Sequence, residues 1–228
     1  MITLVSRILF SIPLRFQMSR NSAFIRVFNF TYFNKVEGDF IEFGVGSGTT
    51  LKIAIANAKA RKLNHMTFFG VDTFQGFPQT HGPEKAFYTY SSIVGSRSFS
   101  RKEIQKTLKI RDNRNLQLHK FNMESDDLSS LSEKMRELKI SIAHLDMDFY
   151  MPTLNALNLI SDSLSVGSIL MFDNYFFFAA NDEMGERKAF REYQLLHPEM
   201  VISDYFSYGW HGMAFVVTKS SDSLAKSW

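Results

Sequence analysis

Residues Asp39 to Thr50 read DFIEFGVGSGTT, and no other stretch restricts the fold as strongly. Phe40, Ile41 and Phe43 form a short apolar run that empties into Gly44, Gly46 and Gly48, and a run of helix formers opens at Thr49. A strand that turns through glycines into a helix builds a corner where backbone can approach a ligand. The free N–H groups of the helix start face that ligand. The rest of the chain repeats the unit. Strands are expected at Asp39–Phe43, Thr67–Val71, Leu116–Phe121, Ser141–Leu145 and Ser168–Phe172. Helices are expected over Thr49 to about Leu63, Arg101 to about Leu108, Leu128–Leu138, Thr153–Ser163 and Gly185–Leu196. Ser100 and Glu103 form a capping-box pair for the second of these. Two consecutive strands, Met200–Tyr205 and Gly212–Thr218, close the chain. This order predicts an α/β fold, a doubly wound, Rossmann-like, seven-stranded and mostly parallel sheet with a closing hairpin.

Before the first strand, residues 17–36 space Phe24, Val27, Phe28, Phe30 and Tyr32 as a helix or two would. The chain therefore divides into an N-terminal helical extension (1–36), one α/β domain (37–219) and a frayed tail (220–228). The opening MITLVSRILFSIPLRF is apolar but broken by Arg7, Pro13 and Arg15, and falls short of the ~20 residues a membrane helix needs. It is expected to pack on the domain or on a second subunit, a membrane-surface anchor or a targeting segment being the alternatives. No small-residue cleavage site follows it, and a cytoplasmic location is expected. Twenty-three phenylalanines are more than one core can use, so some line something else. The net charge of +3 comes from scattered Lys and Arg and implies no nucleic-acid surface. With no cysteine, disulfides, thiolate metal sites and cysteine nucleophiles are excluded.

In doubly wound sheets, ligands sit at the carboxyl ends of the strands. Asp72, Asp146 and Asp173 each end an apolar strand there. The spacing G-x-G-x-G, with Glu42 two residues ahead of it, is not the dinucleotide fingerprint. It resembles the first motif of class I S-adenosylmethionine methyltransferases. Glu42 would then meet the cofactor's ammonium or its water. Gly44 and Gly46 would admit the methionine part beside Thr49, and Asp72 would accept from the two ribose hydroxyls. Asn122, just past the third strand, joins this cofactor set. Taken singly, Glu42 and Asp72 read equally well as turn and loop caps.

A second cluster follows from strands 4 and 5. If they are neighbours, their ends lie roughly 5 Å apart. Asp146, Asp173 and Asn174 would then offer oxygens to Mg²⁺ or Mn²⁺. Such an ion lowers the pKa of a substrate hydroxyl, and Asp148, two residues after Asp146, is the candidate general base. His144 reads as packed inside its strand. His81 and His211 read as surface residues within reach of an acceptor. Tyr175–Phe178 would make an acceptor wall, a subunit contact or ordinary core.

GDFIEFGVGSGTT, FGVDTFQGFP, HLDMDFYMPT, ILMFDNY and GERKAFREY together resemble the macrocin O-methyltransferase (TylF-like) family over about residues 37–195. The resemblance implies a metal-dependent, S-adenosylmethionine-dependent O-methyltransferase acting on a hydroxyl of a sugar, a glycosylated metabolite or a polysaccharide. It implies Asp146 as a metal ligand, Asp148 as the base, and a homo-oligomer. The family usually carries Asp-Asp where this chain has Asp173-Asn174, a pair similar to that of catechol O-methyltransferases with one negative charge fewer. Two readings compete. One is a glycosyltransferase using the D-x-D at 146–148, against which the glycine turn argues. The other is a methyltransferase-like subunit kept for binding alone.

Overall fold

The structure, a computed structural model, describes residues 18–77, 83–86, 95–96, 98–108, 115–135 and 137–220. The opening segment 1–16, His81, most of the aromatic stretch 85–99 and the tail from 221 lie outside the described residues.

A helix α1 (Arg20–Phe33) precedes strand β1 (Asp39–Phe43), helix α2 (Thr49–Ala60) and strand β2 (Phe68–Asp72). Helix α3 (Arg101–Leu108), β3 (Leu116–Lys120), α4 (Ser129–Met135) and β4 (Ile140–Leu145) follow. Helix α5 (Tyr150–Ile160), β5 (Leu164–Phe172), α6 (Gly185–Leu196), β6 (Val201–Tyr208) and β7 (Gly212–Lys219) complete the chain. The strands form one seven-stranded sheet in the order β3-β2-β1-β4-β5-β7-β6. β7 runs antiparallel to its neighbours β5 and β6, and the other pairs are parallel. The direction of winding reverses between β1 and β4, the place where such a sheet opens a crevice.

Several boundaries differ from the sequence reading for local reasons. α2 stops at Ala60, and Lys62 already has a φ of 57°, in the left-handed region that ends helices. α5 starts at Tyr150, so Pro152 falls in its first turn, where no intrahelical N–H is needed. Its last residues tighten into a 3₁₀ turn, Ser161–Ser163. The Ser100–Glu103 capping box forms as expected, with Glu103 accepting from the Ser100 backbone N–H at 2.7 Å and Ser100 Oγ accepting from the Glu103 N–H at 3.3 Å.

Strand alternation sorts side chains into two core layers. Ile41, Phe43, Phe69, Val71, Leu145 and Phe172 face the layer covered by α4, α5 and α6. Phe40, Phe68, Ile142 and Met171 face the layer covered by α1, α2 and α3. The same alternation puts Glu42 and His144, two residues on from Phe40 and Ile142 in their strands, on the α1 side. There Phe24, Phe28 and Phe40 meet ring to ring at centroid distances of 6.1–6.3 Å. α1 buries Ala23, Phe24, Val27, Phe28 and Thr31 along one face, so this part of the expected extension is built into the core. Among the described residues no helix is long and apolar enough to cross a membrane.

Candidate active site

A cavity of about 680 Å³ opens at the carboxyl ends of the strands. One wall is the turn after β1, with Gly44, Val45, Gly46 and Thr49, continued by Asp72 and Asn122. The other is formed by Asp146, Asp148, Asp173 and Asn174 with Phe177 and Trp210. The cavity thus brings together nearly all the residues singled out from the sequence.

The glycines differ in purpose. Gly44 (φ +86°) lies so close to β4 that an added Cβ would sit 1.9 Å from the Asp146 carbonyl oxygen. Gly46 (φ +51°) has nothing within 4 Å of that position, so that side is open to the cavity it lines. α2 begins at a Gly48 cap with no side-chain hydrogen bond, leaving its first-turn N–H groups for an acceptor in the cavity.

Asp72 lines the cavity, but its carboxylate is already engaged. Its Oδ2 accepts from Val45 N–H (2.8 Å) and Gly46 N–H (3.0 Å), and its Oδ1 from Phe74 N–H (2.7 Å). It braces the glycine turn, and a bond to ribose would have to use a lone pair left over. Asn122 has similar local duties, its side-chain oxygen accepting from Glu124 N–H at 3.0 Å.

Glu42 departs from its expected place. It is fully buried, stands outside the cavity lining and bonds His144 Nδ1 at 3.1 Å. The reason is register: Glu42 and His144 are direct partners across β1 and β4, facing α1 rather than the strand ends. The structure thus sets Glu42 in a pairing beneath the cavity rather than in its lining. Burial pushes the Glu42 carboxyl up to about 7, against the pull of His144. Burial also works against a charged His144, but Asp173 and Glu42 outweigh it and raise the imidazole to about 10. His144 is packed, as expected, with Phe24 against its ring at 5.4 Å, and it lies between the side chains of Glu42 and Asp173. Its Nε2 is 3.8 Å from Asp173 Oδ1.

Asp146, Asp173 and Asn174 do come together, with Asn174 Nδ2 donating to Asp146 Oδ1 at 3.2 Å. Burial, then the charge of Asp173, pushes the Asp146 carboxyl up to about 7. A buried carboxylate short of positive charge suits a cation. Among the described residues no three His, Cys, Asp or Glu side chains form a metal cage by themselves; the set here is two carboxylates and an amide oxygen, which water and substrate oxygens would complete. Asp148 stands in the left-handed region (φ 63°), a conformation held by its surroundings.

Three residues escaped the sequence reading. Arg20, in the first turn of α1, donates from Nε to Asp173 Oδ1 at 3.1 Å and from Nη2 to Oδ2. Burial works against the charge of Asp173, but His144 and Arg20 hold its carboxyl below the usual range. Glu186, fully buried at the start of α6, accepts from Met147 N–H (3.3 Å) and Asn174 N–H (2.8 Å), so one carboxylate brackets both acidic loops. Glu84 accepts from Gly185 N–H (2.6 Å) and Tyr150 N–H (3.1 Å), capping two helix starts from the segment after β2. Arg20 had one visible signal: positions 20, 24, 27, 28 and 31 share a helix face, and an arginine on a buried face needs a partner. At the rim, His211 donates from Nδ1 to the Asp173 carbonyl, and Trp210, 65% exposed, stands 5.8 Å from the Phe177 ring. Of the YFFF run, Tyr175 and Phe178 are core and Phe177 is cavity wall.

Residues 19–211 match the family model described as macrocin-O-methyltransferase (TylF). The chain belongs to the TylF family. It is thereby an S-adenosylmethionine-dependent O-methyltransferase, and the glycosyltransferase alternative falls away. The TylF match begins one residue before Arg20, so α1 is part of it. Among solved structures, the O-methyltransferase NovP aligns with a TM-score of 0.70 at 17% identity, covering 88% of this chain and 80% of NovP. The calicheamicin methyltransferase CalS11 aligns with a TM-score of 0.67 at 19% identity, covering 93% and 85%. The S-adenosylhomocysteine-bound PaMTH1 from Podospora anserina reaches 0.54 at 13% identity, covering 88% and 78%. These likenesses establish the shared fold. No curated protein matches the sequence significantly.

Proposed function

We propose that this TylF-family enzyme methylates a hydroxyl of a sugar, free or within a glycosylated metabolite or polysaccharide, with a divalent cation, Mg²⁺ or Mn²⁺, assisting. One juxtaposition carries the reading: a glycine turn with an open Gly46 faces an acidic wall, Asp146, Asp148, Asp173 and Asn174, across one cavity. The sugar class is supported by the family and by CalS11, described as a TDP-rhamnose 3'-O-methyltransferase. Trp210 and Phe177 offer aromatic faces at the rim, against which the C–H face of a sugar ring can pack.

In this reading the glycine turn and the first turn of α2 receive the methionine end of S-adenosylmethionine, and the wall from Asp72 to Asn122 receives its adenosine. Asp146, Asp173 and Asn174 hold the cation, which when bound supplies the positive charge that makes a hydroxyl more acidic. Asp148 takes the proton of the acceptor hydroxyl as that oxygen bonds to the donor methyl. Glu186 keeps the two acidic loops in register, and the buried floor of Glu42 and His144 excludes water beneath them. We further take residues 37–219 as the catalytic unit, served by α1, in a cytoplasmic homo-oligomer. The exposed Ile25, Tyr32 and Phe33 of α1 suit a subunit contact.

The test is methyl transfer from labelled S-adenosylmethionine to a panel of nucleotide-linked sugars, with calorimetry of S-adenosylhomocysteine alongside. Asp146→Ala and Asp173→Ala should abolish transfer and leave that affinity largely intact. Full activity in excess chelator would remove the metal from the reading, and absence of S-adenosylhomocysteine binding would remove the donor.

A further inference from the structure

Asp173 is asked to serve two cations. As a proposed metal ligand it faces the cavity beside Asp146 and Asn174. In the structure both of its oxygens are held by Arg20, Nε on one and Nη2 on the other. That fork is the strongest pairing a carboxylate makes with a side chain, and it fixes the carboxylate plane as well as its charge. Arg20 is not a surface residue that drifted there. Ser19 caps α1, its Oγ accepting from Ser22 N–H, while Met18 carbonyl accepts from Gly209 N–H at 2.8 Å. The helix start is thereby tied to the β6–β7 turn. Phe24 and Phe28, one and two turns on, are fully buried. Arg20 also has a second partner within reach, Thr50 Oγ1 at 3.5 Å from Nη1.

We propose that Arg20 is a placeholder for the divalent cation: guanidinium and metal compete for Asp173, and loading the metal displaces the Arg20 fork toward Thr50 at the start of α2. This rests on the metal-dependent reading above. The physical basis is mutual exclusion of like charges in a part-buried site with one carboxylate between them. Without Arg20, Asp173 keeps its burial and loses its partner, which increases its demand for another cation.

The experiment is Mn²⁺ binding to the full-length, chelator-treated enzyme, followed by electron paramagnetic resonance of the free ion, with S-adenosylhomocysteine calorimetry reporting an intact fold. Arg20→Gln should tighten Mn²⁺ at least about tenfold. Arg20→Lys, which keeps the charge without the fork, should fall between it and the native enzyme. A gain in affinity is the informative direction, because general damage to the site would weaken the ion. Equal or weaker Mn²⁺ binding by Arg20→Gln, with S-adenosylhomocysteine still bound, overturns the proposal. Absence of Mn²⁺ binding in every variant, the native enzyme included, overturns the metal reading itself and the proposal with it.

Discussion

At the scale of single residues, Asp148 and Glu186 separate chemistry from support. Asp148 holds a φ of 63°, a region asparagine also tolerates. Asp148→Asn therefore keeps the backbone and removes the base. We expect kcat to fall by about 10²–10⁴ with S-adenosylhomocysteine affinity unchanged; a variant as active as the native enzyme would assign the proton to another group. Glu186 is not itself part of the cavity lining and acts through the N–H groups of two lining residues, Met147 and Asn174. Burial pushes its carboxyl up, favouring the neutral form. Glu186→Gln keeps one acceptor oxygen but turns its NH2 group toward the other backbone N–H, whereas Glu186→Ala leaves both donors unpaired; each lost acceptor costs about 1–3 kcal/mol. Thermal melts of the two variants check the contrast, and equal melting temperatures would refute it. Asp72, Asp146 and Asp173 were readable in advance, because an acidic residue ending an apolar run marks the ligand edge of a parallel sheet, and Asp148 followed from its spacing to Asp146. Glu186 was visible only as part of GERKAFREY. Its purpose depends on where two other loops arrive, which no local pattern encodes.

Among the elements, the turn after β1 shows how a legible motif can hide two jobs. The spacing G-x-G-x-G announces close backbone approach, but it does not say to what. Gly44 approaches the Asp146 carbonyl and Gly46 approaches empty cavity. Both have positive φ, so alanine strains either one. We expect Gly44→Ala to lower the melting temperature and disturb Asp146. Gly46→Ala should cost about 1 kcal/mol of stability and show its main effect as weakened S-adenosylhomocysteine binding in calorimetry. Reversed effects would refute the division. Glu42 was misplaced for a related reason: its distance in sequence from the glycines suggested the ligand, while strand alternation turned it to the opposite, α1-facing layer. The cap of α3 makes a pH prediction. Bonds from the Ser100 hydroxyl and N–H hold the Glu103 carboxyl below its ordinary value of 4.5. A depressed carboxylate contributes stability above its unfolded pKa and loses it as pH falls through the folded value. Amide exchange in the first turn of α3 should therefore speed up relative to the core as pH drops below that range, and uniform exchange would count against the cap.

For the whole molecule, the decisive observation is that α1 belongs to the core and to the site. Phe24, Val27 and Phe28 are fully buried, at roughly 1.5–3 kcal/mol apiece. Their sum rivals the 5–15 kcal/mol that typically holds a whole domain together. Deleting residues 1–18 should leave S-adenosylhomocysteine binding intact, and deleting residues 1–36 should abolish both binding and cooperative melting. A folded, cofactor-binding product of the longer deletion would contradict the packing described. The seven-stranded, mostly parallel sheet and its closing hairpin were foreseeable from the succession of strand and helix patterns, whereas the place of β7 between β5 and β6 was not. The inclusion of α1 was not, because a helical period reveals a buried face without naming what covers it. The row Glu42, His144, Asp173 and Arg20 also governs how the chain acquires activity. Its links span 102 positions between Glu42 and His144 and 153 between Arg20 and Asp173. Such distant closures slow folding and are made late. During synthesis the α1 phenylalanines meet Phe40 early, but Arg20 waits for Asp173 until β5 has been made. The nascent enzyme thus passes through an interval in which a phenylalanine-bearing helix is only partly covered, and chaperoning over that interval is expected to raise its yield in a cell.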